Sequence, residues 1–281
     1  MSTINVDNVN PETGYQLLVN TVHLRRMNDS SGSPSNLIIG LPSVNAASMP
    51  GNQNTFIGGG NPASAATGNT VIGPFAGGLN SGNNNTIMGN ASALNLTTGA
   101  ENVAIGTKAM GQNTTGFKNT CIGSFAGANF YGGIGFDGGI NTTLIGFNAQ
   151  PATVSASNSI TLGDSNIAVL RCAVTSITSL SDARDKKEIV ELPVGLDFVN
   201  TLKPVSFVWD DRTEDGKHDI KDFGFIAQDL KKSQEDAKLA ETLKLVYEEN
   251  PEKLEASYGK LIPILVKAIQ ELSEEVKQLK K

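Results

Sequence analysis

Apolar positions in the first part of the chain come in short pairs, each closed by a glycine. Seven segments share an Asn-x-h-h-Gly theme, with h apolar: Asn54 to Gly58, Asn69 to Gly73, Asn85 to Gly89, Asn102 to Gly106, Asn119 to Gly123, Asn141 to Gly146 and Asn158 to Gly163. The closing glycines recur at a short, nearly fixed interval that is lengthened once, between Gly123 and Gly146. Such a period predicts a solenoid with one coil per repeat. Ile57, Ile72, Ile105, Ile122 and Ile145 are expected to stack inside, while glycines and asparagines turn corners where φ is positive. Neighbouring strands lie about 4.8 Å apart, so the stack would rise roughly 34 Å.

After Leu180 the period changes. Val205 to Trp209 and Phe223 to Ile226 read as strands around a polar loop, and helical patterns start at Ala227 and near Leu261. In the last helix Ile262, Leu265, Ile269, Leu272, Val276 and Leu279 are spaced 3, 4, 3, 4, 3. These are a and d positions of a short coiled coil, and the same spacing also fits a helix packed on its own domain. Pro263 falls in the first turn, where a helix tolerates it. The a/d residues alone favour a dimer, and a parallel association of several repetitive chains would set three strands against that preference. Upstream, Ile4 to Asp7 and Tyr15 to Val19 suggest two short strands joined through Pro11 and Gly14. By position, residues 1–51 are read as a segment that docks the protein on a larger assembly.

Charge divides the chain at the same place. Only 11 charged side chains precede Ser181, against 39 from Ser181 onward, although the second stretch is the shorter. Of 30 glycines, 26 precede Ser181, and aromatics are 6 %, so a core of large side chains is not expected in the first part. A single narrow column buries little apolar surface, which parallel association of several chains would remedy. The net charge of −6 leaves no basic footprint for nucleic acid. No stretch reaches the roughly 18 apolar residues of a membrane span, and the N-terminus lacks the pattern of a signal peptide. Cys121 and Cys172 fit no metal or redox spacing and read as buried small apolar residues. With only His23 and His218, a histidine triad or zinc site is not expected, and no cofactor is implied.

Two further patterns are weighed and set aside. Gly133 to Gly138 matches G-x-G-x-x-G, but no helix follows to bind phosphate. The stretch around it, with Phe130, Tyr131 and Phe136, reads either as an aromatic receptor loop that could contact a sugar or as a bulge packed between protomers. Asp211, Thr213, Asp215, Gly216, Asp219 and Asp222 fall at calcium-loop positions, yet the terminal Glu is missing and the flanks are strands. An acidic hairpin turn is the reading adopted, with no metal.

The seam carries the candidate chemistry. Ser181 and Lys186 could form a nucleophile and base if a bend brought them within hydrogen-bond reach. An extended strand would hold them roughly 16 Å apart. A helix would turn them about 140° apart.

Two resemblances add to this. The Asn-Thr-Val-Ile-Gly and Asn-Val-Ala-Ile-Gly copies resemble the left-handed β-roll of trimeric autotransporter adhesin heads, a unit also found in phage tail fibres. The run Ser181-Asp182-x-Arg184-x-Lys186 is followed by Ile189, Leu202-Lys203-Pro204, Phe207-x-Trp209, Gly224-Phe225-Ile226-Ala227-Gln228, Tyr258 and the Leu261 to Leu279 helix. Together these resemble the C-terminal intramolecular chaperone of phage endosialidase tailspikes, a self-cleaving peptidase domain, over about residues 176–281. The resemblance implies Ser181 as nucleophile, Lys186 as base and Leu180–Ser181 as the scissile bond, with Asp182, Arg184 and Gly224 in support.

The fold expected is a mainly β N-terminal part, a trimeric β-roll or β-solenoid of about seven 15–17-residue coils, followed by an α+β chaperone domain ending in a short coiled-coil helix. Its parts would be docking segment 1–51, shaft 52–165, linker 166–180 and auto-peptidase domain 181–281. The function expected is that of a homotrimeric phage fibre, made in the host cytoplasm and carried on the virion. Residues 1–51 would meet tail, baseplate or capsid proteins, and the fibre would meet a host-surface glycan or protein. The C-terminal domain would act once, as a Ser-Lys peptidase on its own chain. One rival keeps that domain as a permanent trimer clamp. Another makes the fibre a polysaccharide-cleaving tailspike, for which the shaft offers only Asp7, Glu12, Asp29, Glu101, Asp137 and Asp164, widely scattered.

Overall fold

The computed structural model describes residues 37–39, 53–58, 66–78, 81–129, 135–173, 177–212 and 217–281. The chain forms two compact units, Met1–Asp164 and Ser165–Lys281. The strands expected at Ile4 to Asp7 and Tyr15 to Val19 lie outside the described residues.

The first unit is a β-solenoid. Its strands are β1 (Leu37–Ile39), β2 (Thr55–Ile57), β3 (Thr70–Ile72), β4 (Thr86–Met88), β5 (Val103–Ile105), β6 (Thr120–Ile122), β7 (Thr143–Ile145) and β8 (Ile160–Leu162). They form one parallel sheet in sequence order, every neighbour in register. β2 to β8 fall on the seven Asn-x-h-h-Gly segments. β1 is a further copy: Asn36-Leu37-Ile38-Ile39-Gly40 has the same form, and its pairing with β2 carries the sheet into the stretch read as a docking segment.

Which face points inward corrects the sequence reading. In β2 to β7 the buried residue is the middle one: Phe56, Val71, Ile87, Ala104, Cys121 and Leu144. Ile57, Ile72, Ile105, Ile122 and Ile145 stack in register, with Met88 between Ile72 and Ile105, but on the outer face, where Ile122 is 37 % and Ile145 41 % exposed. The reason is parity. Side chains two apart share a face of a strand, so the buried polar residue before each of β2 to β7 takes the middle residue in with it.

That residue is held in by an interior ladder. Asn54, Asn69, Asn85, Asn102 and Asn119 are buried. Each Oδ1 accepts from the backbone N–H of the next rung, from Asn69 N to Asn54 (2.8 Å) through Thr142 N to Asn119 (2.9 Å). Each Nδ2 donates to a backbone carbonyl, as Asn102 does to Gly116 O at 2.8 Å. In the next coil Thr142, not Asn141, takes the rung, its hydroxyl donating to Ala156 O at 2.8 Å. Asn141 sits one place earlier, in a left-handed corner that Glu101 and Lys118 also occupy in their coils.

The closing glycines are required by stacking. Gly73, Gly89, Gly106 and Gly123 have φ between 130° and 132°. A Cβ on Gly106 would lie 2.6 Å from the Gly123 carbonyl. Left-handed backbone and the neighbouring coil together exclude a side chain.

The long interval between Gly123 and Gly146 is a coil with an insertion, and its aromatic assignment changes. Phe136 stands three places before Gly139, as Leu96 does before Gly99 and Asn113 before Gly116, and all three side chains are fully buried. Phe136 is therefore a core residue of the column and cannot serve as a receptor contact. Phe130 and Tyr131 lie outside the described residues. Of the acids weighed for glycan cleavage, Asp137 is a structural acceptor, taking hydrogen bonds from Thr114 N and Oγ1, both at 2.7 Å.

The second unit is α+β. It contains α1 (Leu196–Val199), an antiparallel hairpin of β9 (Pro204–Asp210) and β10 (His218–Phe225), α2 (Ala227–Asp236), α3 (Ala240–Leu243), the short pair β11 (Val246–Tyr247) and β12 (Glu255–Ala256), and α4 (Leu261–Leu279). Its core is Val194, Phe198, Leu243, Leu245, Leu261 and Ile264. α4 therefore has two apolar rows. Leu261, Ile264 and Ala268 are buried on their own unit, while Ile262, Leu265, Ile269, Leu272, Val276 and Leu279 are exposed. The heptad-spaced residues named from the sequence thus do not pack on their own unit, and a different row of the same helix does. Cys121 is buried as expected, whereas Cys172 is exposed.

Candidate functional site: the Ser181 turn

The bend that the Ser181–Lys186 spacing demands is a 3-10 turn over Ala183–Asp185. Asp182 caps it, its Oδ1 accepting from Arg184 N at 2.9 Å, the short polar side chain doing for a turn what it does at helix N-termini. Asp185 N donates to Asp182 O and Lys186 N to Ala183 O, each at 3.2 Å. The chain doubles back, and Lys186 Nζ donates to Ser181 Oγ at 2.6 Å and lies 3.3 Å from Ser181 O.

Arg184 points at Asp182 rather than at Ser181. Its Nη2 lies 2.6 Å from Asp182 Oδ2 and its Nε 3.0 Å from Oδ1. These hydrogen bonds hold the Asp182 carboxyl below the usual carboxylate range and raise the guanidinium in turn. The pair braces the turn on its open side.

Everything in this stretch faces solvent. Residues 177–191 are exposed, and Leu180, on the other side of the Leu180–Ser181 bond, is fully so. Below the turn the chain is fastened to α4. Glu191 forms an ion pair with Lys267, whose amine lies 3.7 Å from Glu271 on the next turn of the same helix. Lys267 holds the Glu191 carboxyl below its usual range. Glu271 Oε2 accepts from Leu196 N at 2.7 Å, closing the start of α1. A Cβ on Gly195 would lie 2.1 Å from Glu271 Oε2, so a side chain there would displace the end of that carboxylate. Sequence reading missed Glu191, Lys267 and Glu271. The signal available was that Leu261, Ile264, Ala268 and Glu271 form a second heptad-spaced row on α4.

Gly224 belongs to the hairpin base and not to the Ser181 turn. A Cβ there would lie 2.5 Å from Tyr258 Oη, which accepts from Phe225 N at 3.0 Å. The Phe225 and Tyr258 rings meet edge to face at 5.7 Å. The Gly224-Phe225 motif and Tyr258 thus form one contact, linking β10 to the chain that enters α4.

Among the described residues no cluster of three or more His, Cys, Asp or Glu could hold a metal ion. Thr213, Asp215 and Gly216 of the acidic hairpin turn lie outside them. Among the described residues, too, no helix is long and apolar enough to cross a membrane.

A family model described as the chaperone of endosialidase matches residues 181–239. The match opens on Ser181 and takes in the turn, α1, the hairpin and α2, while Tyr258 and α4 lie beyond it. No curated protein and no solved structure matches the chain.

Proposed function

We propose that the chain is one protomer of a homotrimeric phage fibre whose C-terminal unit drives trimerisation and folding of the solenoid and then releases itself at Leu180–Ser181. The observation that carries this reading is the 2.6 Å contact between Lys186 Nζ and Ser181 Oγ, at the first residues of the chaperone match. The chaperone of endosialidase domain supports the trimerisation and folding role.

Association of three chains draws support from both units. In-register isoleucines form an apolar ladder on the outside of the solenoid, and α4 leaves a whole heptad seam in water, with Ile262 63 % and Ile269 66 % exposed. Contiguous exposed apolar rows of this kind mark interaction surfaces. Repetitive coils can also pair out of register at little local cost. A terminal unit that gathers three chains first would set the register and raise the effective concentration of the rest. Removing that unit afterwards would leave the fibre kinetically trapped.

In the reaction Ser181 Oγ is the nucleophile, Lys186 the base, and Asp182 with Arg184 hold the turn. To take the hydroxyl proton the amine must be neutral, and burial is what favours that form of a lysine. Ser181 and Lys186 are exposed in the single chain, so the cover would come from neighbouring protomers. Residues 1–51 would dock on the virion, and the mature fibre would meet a glycan or protein of the host surface.

The test is intact mass and denaturing-gel analysis of the full chain beside Ser181→Ala. Wild type yielding residues 1–180 and 181–281, with the variant intact, is the expected result. An uncut wild-type trimer would instead leave the C-terminal unit as a permanent clamp.

A further inference from the structure

We infer that the corner following the closing glycines of the solenoid is a glycan-binding ledge, with Phe147 as the stacking platform and Lys108 as the cation that selects carboxylated sugars. This rests on the reading of the chain as a fibre that meets a host surface, and it names the part that would meet it.

The second residue after the closing glycine forms a column. Phe75, Ala91, Lys108, Phe125 and Asn148 occupy it, all with φ between 50° and 62°. Ala91, Lys108, Phe125 and Asn148 each donate a backbone N–H to the coil before, at 2.9–3.0 Å, which fixes their register. Left-handed backbone suits an asparagine such as Asn148, whereas bulky side chains adopt it rarely. Phenylalanine nevertheless stands there twice, and Phe75 is 66 % exposed. Neither backbone preference nor burial accounts for a ring at such a place, and strained residues of this kind gather where ligands are held.

Beside Asn148 a ring stands one place earlier. Phe147 is 53 % exposed, and the Phe125 and Phe147 rings meet edge to face at 5.9 Å. Lys108 Nζ lies over the Phe125 ring, 6.0 Å from its centroid. In earlier coils the place of Phe147 is taken by exposed Asn90 and Thr107, which supply an amide and a hydroxyl. Phe75 is three coils from Phe125, about 14 Å at 4.8 Å per coil, so a glycan lying along the column spans both.

This is the chemistry of a sugar site. The C–H face of a pyranose carries slight positive charge and packs on the negative face of an aromatic ring. Its hydroxyls pair with neutral donors and acceptors such as an amide and a hydroxyl. Lys108 and Lys118 are the only basic side chains in residues 52–165, so positive charge at this corner is local and favours a carboxylate. The isoleucine row before the glycines is wholly apolar and suits another protomer, whereas this corner suits a polar polymer.

The experiment titrates the full chain by calorimetry with fragments of polygalacturonate, alginate and hyaluronate, and with the same fragments after reduction of their carboxyls. Light scattering and thermal unfolding are recorded alongside. At least one carboxylated fragment is expected to bind, and Phe147→Ala to weaken it about tenfold or more. Lys108→Gln should bring that affinity down to the level of the reduced fragment, with mass and Tm of both variants unchanged. Full affinity in Phe147→Ala, or equal affinity of wild type for carboxylated and reduced fragments, would overturn the ledge. A Phe147→Ala chain that falls from trimer to monomer would assign the corner to contact between protomers instead. A trimeric wild type that binds none of the fragments would sink the ledge and leave the fibre reading standing. A monomeric wild type would remove that reading itself.

Discussion

Lys186 Nζ donates to Ser181 Oγ at 2.6 Å although the two lie five positions apart in sequence, because the Asp182-capped turn folds the chain back between them. Both groups are exposed, so within one chain the contact supplies proximity alone. Lys186→Ala is expected to slow cleavage by about 10²–10⁴-fold, the usual contribution of a positioned base. Asp182→Ala, which frees the turn and leaves both reacting groups in place, should slow it less. Quantified gel time courses of refolding chains check both. Equal effects from the two variants would reduce Lys186 to a structural part of the turn.

The two rows of α4 predict two separable phenotypes. Ile264 is buried in its own unit, so Ile264→Ala should destabilise that unit by about 2–5 kcal/mol in chemical denaturation. Ile269 is 66 % exposed, so Ile269→Asp should leave each chain folded and shift the mass seen by light scattering from trimer towards monomer. A trimer unchanged by Ile269→Asp would remove the seam from the interface.

The asparagine ladder predicts which solenoid substitutions are costly. Asn102→Ala strands two buried backbone groups, Asn119 N–H and Gly116 C=O, at about 1–3 kcal/mol each. Asn102→Thr should lose less, because Thr142 fills the same rung with a hydroxyl that donates to a carbonyl. Thermal unfolding of the solenoid should rank wild type above Asn102→Thr above Asn102→Ala.

Cys121 predicts an alkaline weakness. Burial pushes its thiol up to about 12 from an ordinary 9.0, because the core disfavours the thiolate. The unfolded chain loses that proton from pH 9 upward while the folded chain keeps it, so stability falls as pH rises through that window. The slope is about 1.4 kcal/mol per pH unit. Cys121→Ala should lack this slope in denaturant titrations from pH 8 to 11. In the native protein a thiol reagent should modify Cys172 and spare Cys121, and both should react once the protein is unfolded.

Much of the architecture was legible as spacing. The recurring interval between closing glycines placed β2 to β8, and the 3-4 spacing from Ile262 to Leu279 placed α4. Legibility failed where spacing is silent about direction. Ile57 and its equivalents were expected inside because they are the largest apolar residues of most repeats. They lie outside because the asparagine two places before the middle residue is bonded into the interior. Phe136 was grouped with Phe130 and Tyr131, as either a receptor loop or a bulge packed between protomers. Counting back from Gly139 places it in the column of Leu96. Gly224 was noted as part of a motif, and its partner, Tyr258 Oη, lies beyond α2, α3 and the β11–β12 pair in the chain.

The order of side chains along the polymer thus determined the periods, the break in charge at Ser181, and the residue types present on either side of the Leu180–Ser181 bond. Those are properties of a linear chain and need no third dimension. Tertiary structure decided which face of each strand turned inward, which row of α4 remained in water, and whether Ser181 and Lys186 meet. These depend on hydrogen bonds and packing between residues far apart in sequence, or on a turn whose backbone angles spacing alone leaves free.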